Sequence, residues 1–357
     1  MTETIFKKRE RWKDIAFGIA IISVVIGHSF LPNAQISKFV YLYHIPLFFI
    51  LGGYFLNFDK YEFNFGRLVE NGFKRLIIPA FVACVILYNN CRPDWLIKFL
   101  YGSGKNIENL HIYAIDFSIW FIFCLFITKI LTWLILKFQK LYNLSDFLVL
   151  IVAFIIALAG RAISTIILLP WSFDIAMTAL YLSVVGFLIK KHKLLFEGGW
   201  EKQTLVISCS FIIAILDILD IMYTNIFNMN ERIYGNILLS FNGAIAIVIL
   251  ICYISKAIEN APIFSKLLQY LGINSLVIMI VHGLFHSSIN GFVNTIFRLL
   301  CSVIIIEVCS NISILLDVFK IESLSKMHTE PSKRALLMRF GGGGPLLSSL
   351  KFKKRIK

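Results

Sequence analysis

Three histidines in apolar surroundings are the side chains of this sequence best suited to acid–base chemistry. His28 follows Gly27 near the end of one apolar run, His44 precedes Pro46 in the next, and His282 lies in a late one. A neutral imidazole, whose ordinary pKa is about 6.5, accepts a hydroxyl proton at physiological pH. Each histidine also has a second interpretation, in which the ring packs or hydrogen-bonds between helices and does no chemistry.

Two adjacent cations, Lys74 and Arg75, stand at the start of the third apolar run. Lysine and arginine side chains bind phosphate oxygens, so this pair predicts a clamp for the phosphates of a nucleotide-like donor. The same pair also suits a cytoplasmic topology anchor. Asp14 occupies the corresponding end of the first run. Trp120 lies in the fourth run, where aromatic residues also form interfacial belts.

The elements that must position these residues are long apolar runs. Hydrophobic residues make up 58% of the chain and charged residues 16%, with a mean hydropathy of +0.78, whereas soluble domains have about 45–50% apolar residues. Runs of about 17–25 residues span a bilayer, and without strict alternation they form helices and not a barrel. We therefore predict an all-α, polytopic integral membrane bundle of about ten transmembrane helices. The runs cover 15–31, 36–56, 75–89, 116–137, 147–169, 173–190, 204–223, 235–254, 267–290 and 293–317.

Positive charge is distributed unevenly between the two sides of this predicted bundle. With the N-terminus in the cytoplasm, the segments on that side hold most of the lysines and arginines. Short loops follow the positive-inside rule, so we expect both termini in the cytoplasm of a multi-pass protein of the bacterial cytoplasmic (inner) membrane. The expected partner is a lipid bilayer. This topology accounts for the net charge of +14, so no nucleic-acid partner is needed to explain it. The cations that fall on the outer side are Lys38, Arg92, Lys98, Lys105 and Arg232.

The chain is predicted to form one domain and a tail. Residues 1–320 contain all ten runs, whereas residues 321–357 are basic, lack apolar periodicity and are expected to be disordered. The outer loop 90–115 is predicted to form a lid or a connector. Seven cysteines without a CxxC pair indicate neither a disulfide framework nor a metal site. Because the histidines fall toward the outer ends of their runs, the sequence predicts a polar cavity open to the outside and a basic rim inside.

Several segments, taken together and in order, resemble the membrane acyltransferase-3 family. The resemblance is greatest to its fucose 4-O-acetylase-like and intercellular-adhesin-polysaccharide branch. It extends from about residue 11 to residue 282. The matching stretches are RWKD (11–14), IISVVIGH (21–28), YHIPLFFILGGY (43–54), KRLIIP (74–79), IWFI (119–122), ALYLSVVG (179–186) and LGINSL (271–276) with His282.

This resemblance implies a ten-helix core that moves an acyl group, commonly acetyl from acetyl-CoA, onto a hydroxyl of a cell-envelope polysaccharide or glycolipid. On this basis we predict that His28 and Asp14 are catalytic, with His28 as the general base. Lys74 and Arg75 match the family's basic donor-side motif and are predicted to bind the acetyl-CoA. The residues predicted to bind substrate are His44, Trp120 and His282.

One position departs from the family pattern. Many members carry a basic residue eleven positions before the first-helix histidine, where this chain has Phe17. If that residue contacts the donor or orients the histidine, activity would be altered or lost, and one alternative is therefore an acyltransferase-like protein that is inactive. A further alternative is an exporter of glycans or glycolipids, because ten helices around a polar interior also describe transporters.

Overall fold

The computed structural model describes residues 10–88, 94–102, 119–223, 227–285 and 291–312, together with positions 315, 318 and 319. These residues form helices and turns, and the extended pairing among them is an isolated antiparallel bridge between Asn228 and Ile233. The predicted all-α class is confirmed. Most of the predicted lid 90–115 and the whole predicted tail 321–357 lie outside the described residues.

The helices of the described residues follow the predicted apolar runs. In chain order, the α-helices are α1 (Arg11–Gly27), α2 (Gln35–Tyr54), α3 (Phe58–Tyr61), α4 (Phe65–Gly72), α5 (Ile78–Tyr88), α6 (Asp94–Tyr101), α7 (Ile119–Tyr142), α8 (Asp146–Ser164), α9 (Phe173–Lys191), α10 (Trp200–Tyr223), α11 (Ile237–Ala257), α12 (Phe264–Ile273), α13 (Ser275–Val281) and α14 (Phe292–Ser310). A π-helical turn, Phe73–Ile77, leads into α5, and a 3-10 turn, His282–Leu284, follows α13.

Seven of the described helices are long and apolar enough to cross a membrane, and there are eight such spans if α12 and α13 count as one. The predicted number of ten is not confirmed. Helix α1 contains 17 residues, and the third predicted run provides only the 11 residues of α5 after its π-helical turn. At about 1.5 Å per residue, both are shorter than the roughly 30 Å thickness of a hydrocarbon core.

Helix α14 shows which solvent surrounds the bundle. Asn294, Arg298 and Ser302 follow one another at four-residue spacing and are all buried. A helix on the surface of a water-soluble protein buries its apolar face instead. The chain is therefore embedded in a membrane and has a polar interior. The large apolar side chains that α14 exposes are Phe292, Val293, Ile296, Phe297, Leu300, Ile304 and Val308.

Glycines bring the helices that carry the candidate residues into close contact. Gly53 of α2 and Gly186 of α9 face each other's helices, so that a Cβ at Gly53 would lie 1.8 Å from the carbonyl oxygen of Ser183. A Cβ at Gly272 of α12 would lie 1.8 Å from the carbonyl oxygen of Asp14 on α1. Small residues allow such backbone approach in membrane bundles. The contacts fix the positions of α1 and α2.

The predicted run 267–290 is not one straight helix. It is divided between α12 and α13, whose axes are bent by 67°. Asn274 stands at the break, is buried, and donates a hydrogen bond from its side-chain nitrogen to the Tyr270 carbonyl at 3.0 Å. The apolar composition of the run concealed this break, because both halves are apolar. The bend carries the end of α13 to the end of α1.

Candidate functional site

The three predicted histidines meet at one end of the bundle. His28 lies at the C-terminal end of α1, and its ring centroid is 5.2 Å from that of His282, which begins the turn after α13. Tyr41 of α2 lies between His28 and His44, with ring centroids 6.2 Å and 4.8 Å away. The prediction that these residues share a site agrees with this arrangement.

The three rings differ in accessibility and in hydrogen bonding. His44 and His282 are 2% and 3% exposed. Their Nδ1 atoms lie 2.6 Å from the Val40 carbonyl oxygen and 2.9 Å from the Ile278 carbonyl oxygen. In a neutral ring this contact assigns the proton to Nδ1 and leaves Nε2 as the acceptor. His28, in contrast, is exposed, so it is the imidazole of the three that a substrate reaches.

His28 opens into a small cavity of about 50 Å³. Typical small-molecule sites enclose about 300–1,000 Å³. This cavity is therefore much smaller than a typical site that encloses a whole ligand. Trp120 of α7, another predicted site residue, lines it and is 7% exposed. The other lining residues are Val24, Tyr41, His44, Ile45, Phe121, Asn228, Met229, Asn230 and Met279.

Arg298 of α14 is a further charged residue of this region, to which the sequence assigned no role. Its side chain is buried, and its Nε donates to Asn294 Oδ1 at 3.3 Å. The start of α14 is attached to the end of α1, because the Gly291 amide donates to the Ser29 carbonyl at 2.8 Å. The Arg298 guanidinium is close enough to His28 and His282 for its charge to act on both rings.

Asp14 is not brought to the histidines. It lies in the first turn of α1, and fourteen residues of helix place it about 21 Å from His28. Asp14 is buried, and its backbone carbonyl oxygen lies against Gly272 of α12. The predicted catalytic role of Asp14 therefore has no support from contact with His28 and stays a prediction.

Lys74 and Arg75, the two residues predicted to bind the acyl donor, lie on the π-helical turn before α5, and both are exposed. Lys74 and Glu70 form an ion pair, and their side chains are 62% and 58% exposed, respectively. The Lys74 ammonium holds the pKa of the Glu70 carboxyl below its ordinary value by hydrogen bonding and by charge. Ion pairs this exposed contribute little to stability, so Lys74 can exchange Glu70 for another anion.

Two further cations accompany this turn. The ammonium groups of Lys60 and Lys129 lie 5.4 Å and 5.8 Å from the centroid of the Tyr61 ring. Lys129 is close enough to Arg75 and Lys60 to experience the charge of both. Lys129 follows Trp120 by nine residues on α7, which corresponds to about 14 Å along the helix. The cations and the histidine cavity are thus separated by part of one helix.

Phe17, the position that departs from the family pattern, is half-buried on α1 and stacks on Phe48 of α2, with ring centroids 5.6 Å apart. Phe48 in turn contacts Phe121, which lines the cavity. Eleven residues of helix separate Phe17 from His28, or about 16 Å. Aromatic packing thus occupies the place of the family's basic side chain.

Comparison with known proteins agrees with these observations. A family model described as an acyltransferase domain, acyltransferase-3, matches residues 11–312. Nodulation protein NolL of Sinorhizobium fredii (strain NBRC 101917 / NGR234) is 28% identical over 181 residues, which cover 45% of this chain and 46% of that protein. The chain thus aligns with just under half of the length of this curated relative. No solved structure matches the chain significantly.

Proposed function

The chain belongs to the acyltransferase-3 family, and we propose that it transfers an acetyl group from acetyl-CoA to a hydroxyl of a cell-envelope polysaccharide or glycolipid. The observation that carries this proposal is the exposed His28 ring in a cavity that also contains Tyr41, His44 and Trp120. A hydroxyl group needs a base to become a good nucleophile, and a neutral imidazole is suited to that task.

The proposed reaction is a direct transfer. The acceptor oxygen attacks the carbonyl carbon of the thioester while His28 takes the hydroxyl proton. The new carbon–oxygen bond forms, the carbon–sulfur bond breaks, and His28 returns the proton to the departing thiolate. The products are an O-acetyl ester and free CoA. His28 thus acts first as a base and then as an acid.

Arg298 supplies the positive charge in this proposal. Negative charge develops on the carbonyl oxygen during attack, and a fixed cation in a water-poor site stabilises it. The position of Arg298 on α14, beside both His28 and His282, supports this assignment. A cation from the last helix also gives a reason why Phe17 is compatible with activity.

The donor is proposed to approach from the opposite side of the bundle. Lys74 and Arg75, with Lys60 and Lys129 beside them, offer several cations to the phosphates of CoA. The separation of about 14 Å along α7 suits a donor whose charged head and reactive thioester are joined by a long flexible arm.

With the donor site on the cytoplasmic side, both termini are also cytoplasmic in this proposal. Reporter fusions at residues 1 and 357 would detect this orientation, and a cytoplasmic signal from a fusion in the loop 90–115 would contradict it.

The proposed function is tested with the purified full-length protein in lipid nanodiscs. Radiolabelled acetyl-CoA and envelope glycans are supplied, and ester-linked label on the glycan is measured. We expect label that mild alkali releases. Absence of label would contradict the proposal. An exporter would instead move a fluorescent glycolipid across a vesicle membrane without acetyl-CoA. The bend between α12 and α13 is the feature that favours that second function, since broken helices form transport sites.

A further inference from the structure

A short hairpin from the predicted outer side folds into the bundle next to the histidines. Asn228 and Ile233 pair through two backbone hydrogen bonds of 2.8 Å and 2.9 Å. The Glu231 amide donates to Asn228 Oδ1 at 3.3 Å, and Arg232 has a positive φ of 60° that closes the turn. Residues 227–235, the cavity hairpin, are thus an ordered element.

A buried ion pair attaches the cavity hairpin to α9. Arg232 Nε donates to Asp174 Oδ2 at 2.9 Å, and the two side chains are 4% and 0% exposed. Arg232 Nη1 also donates to the Asn230 carbonyl at 2.7 Å. Loss of either charge would leave the other buried and unpaired, which is unfavourable. The pair therefore fixes the hairpin over the cavity. The hairpin also has three buried apolar or aromatic side chains, Phe227, Met229 and Tyr234.

The cavity hairpin supplies part of the wall that faces His28. Asn228, Met229 and Asn230 line the same cavity as His28 and Trp120. The Asn230 side-chain oxygen is buried and has no hydrogen-bond partner among the described residues. The Asn230 side-chain nitrogen makes a long contact of 3.5 Å with Glu231 Oε1. A buried carbonyl oxygen without a donor is unfavourable, so this oxygen has the capacity to accept a hydrogen bond from a hydroxyl group of a ligand in the cavity.

The chemistry of this wall selects among ligands. A side-chain amide accepts one hydrogen bond and donates others, which matches neighbouring hydroxyls of a sugar. The charge of Arg232 is neutralised by Asp174, so the hairpin offers no free cation from this residue to an anionic ligand. Glu231 is exposed on the hairpin and is close enough to act on Tyr41.

We propose that the cavity hairpin is the acceptor-selecting element of this protein, with the Asn230 amide binding a hydroxyl of a neutral sugar opposite His28. This inference rests on the proposed function for its role in catalysis, but the binding site itself does not. The Asp174–Arg232 pair is a positioning element, since it holds Asn230 and does not touch the sugar.

Binding is measured first, without any reaction. Full-length protein in nanodiscs is titrated with methyl glycosides of glucose, fucose and N-acetylglucosamine and with methyl glucuronide, observed by saturation-transfer nuclear magnetic resonance. We expect at least one neutral glycoside to bind more tightly than the glucuronide. Asn230→Ala should weaken the neutral glycoside about tenfold, because the loss of one buried hydrogen bond to a ligand has about this effect. The matched control is Asn242→Ala, which replaces an exposed asparagine on α11 that donates to the Leu238 carbonyl at 2.8 Å.

The outcomes separate the two proposals. A parent protein that binds none of the neutral glycosides, or an Asn230→Ala variant that binds them as the parent does, would overturn the role of the hairpin. Binding that depends on Asn230 in a protein that transfers no acetyl group would contradict the proposed function and leave the hairpin site standing. With an active parent, Asn230→Ala should raise the KM for the glycan and leave the KM for acetyl-CoA unchanged.

Discussion

The imidazole rings of His28 and His282 lie with their centroids 5.2 Å apart, although one follows the first helix and the other follows the thirteenth. The 67° bend between α12 and α13 produces this proximity, because it carries the end of α13 to α1. The attachment of Gly291 to Ser29 then brings α14 and its Arg298 to the same place. The geometry of the candidate site thus depends on how three separate parts of the chain pack.

The first prediction concerns the contact between α2 and α9. In Gly53→Ala the new methyl group would meet the Ser183 carbonyl at 1.8 Å. Overpacking of this kind costs about 1–3 kcal/mol, so the midpoint of thermal unfolding in detergent should fall. Gly52→Ala is the matched control, because its methyl group would lie 3.8 Å from Leu125. Equal unfolding midpoints for the two variants would show that the helices do not approach at Gly53.

The second prediction concerns the donor. Lys74→Ala combined with Arg75→Ala should weaken CoA binding. The difference in CoA affinity between this double variant and the parent should become smaller as salt is added, since salt screens exposed charges. Equilibrium binding of labelled CoA at several salt concentrations measures this. Lys193→Ala combined with Lys202→Ala is the control, because it removes two cations from another part of the chain, the exposed Lys193 and the half-buried Lys202 in the first turn of α10. If the two double variants bind CoA equally, Lys74 and Arg75 serve only as topology anchors.

The third prediction concerns Phe17. Phe17→Arg would replace the stacking on Phe48 with a charge inside the bundle, which is unfavourable without a partner. We expect a lower unfolding midpoint and no gain in acetyl transfer per folded molecule. Phe17→Leu keeps the apolar contact and should behave like the parent. A rise in transfer on Phe17→Arg would instead mark the parent as an impaired enzyme.

Much of this molecule was predictable from local patterns. The apolar runs predicted the helices, and the spacing of polar residues in the last run, Asn294, Arg298 and Ser302, contains the signal of a buried polar face. The histidines were predicted to share a cavity because each lies toward the same side of the bilayer. These inferences rest on periodicity and depth, which a sequence records directly.

Other features depend on contacts between distant residues and were not predicted. The run 267–290 contains Gly272, Asn274 and Ser275, which favour turns and helix caps, but its apolar halves led to the prediction of one helix without the break at Asn274. Arg232 was assigned to the outer side by its position between two runs, and its pairing with the buried Asp174 was not predicted. Asp14 and His28 were both predicted to be catalytic from the family resemblance, whereas helical rise keeps them about 21 Å apart.

The most direct measurement is the rate of acetyl transfer by His28→Ala, compared with the parent in matched nanodiscs. A general base contributes about 10²–10⁴ in rate, so this variant should lose most transfer while it binds CoA as the parent does. His192→Ala is the control, because His192 is exposed and bonds to Asp146 at 2.8 Å, apart from the cavity. It should retain the full rate. An undiminished rate in a folded His28→Ala variant would contradict the assignment of His28 as the base.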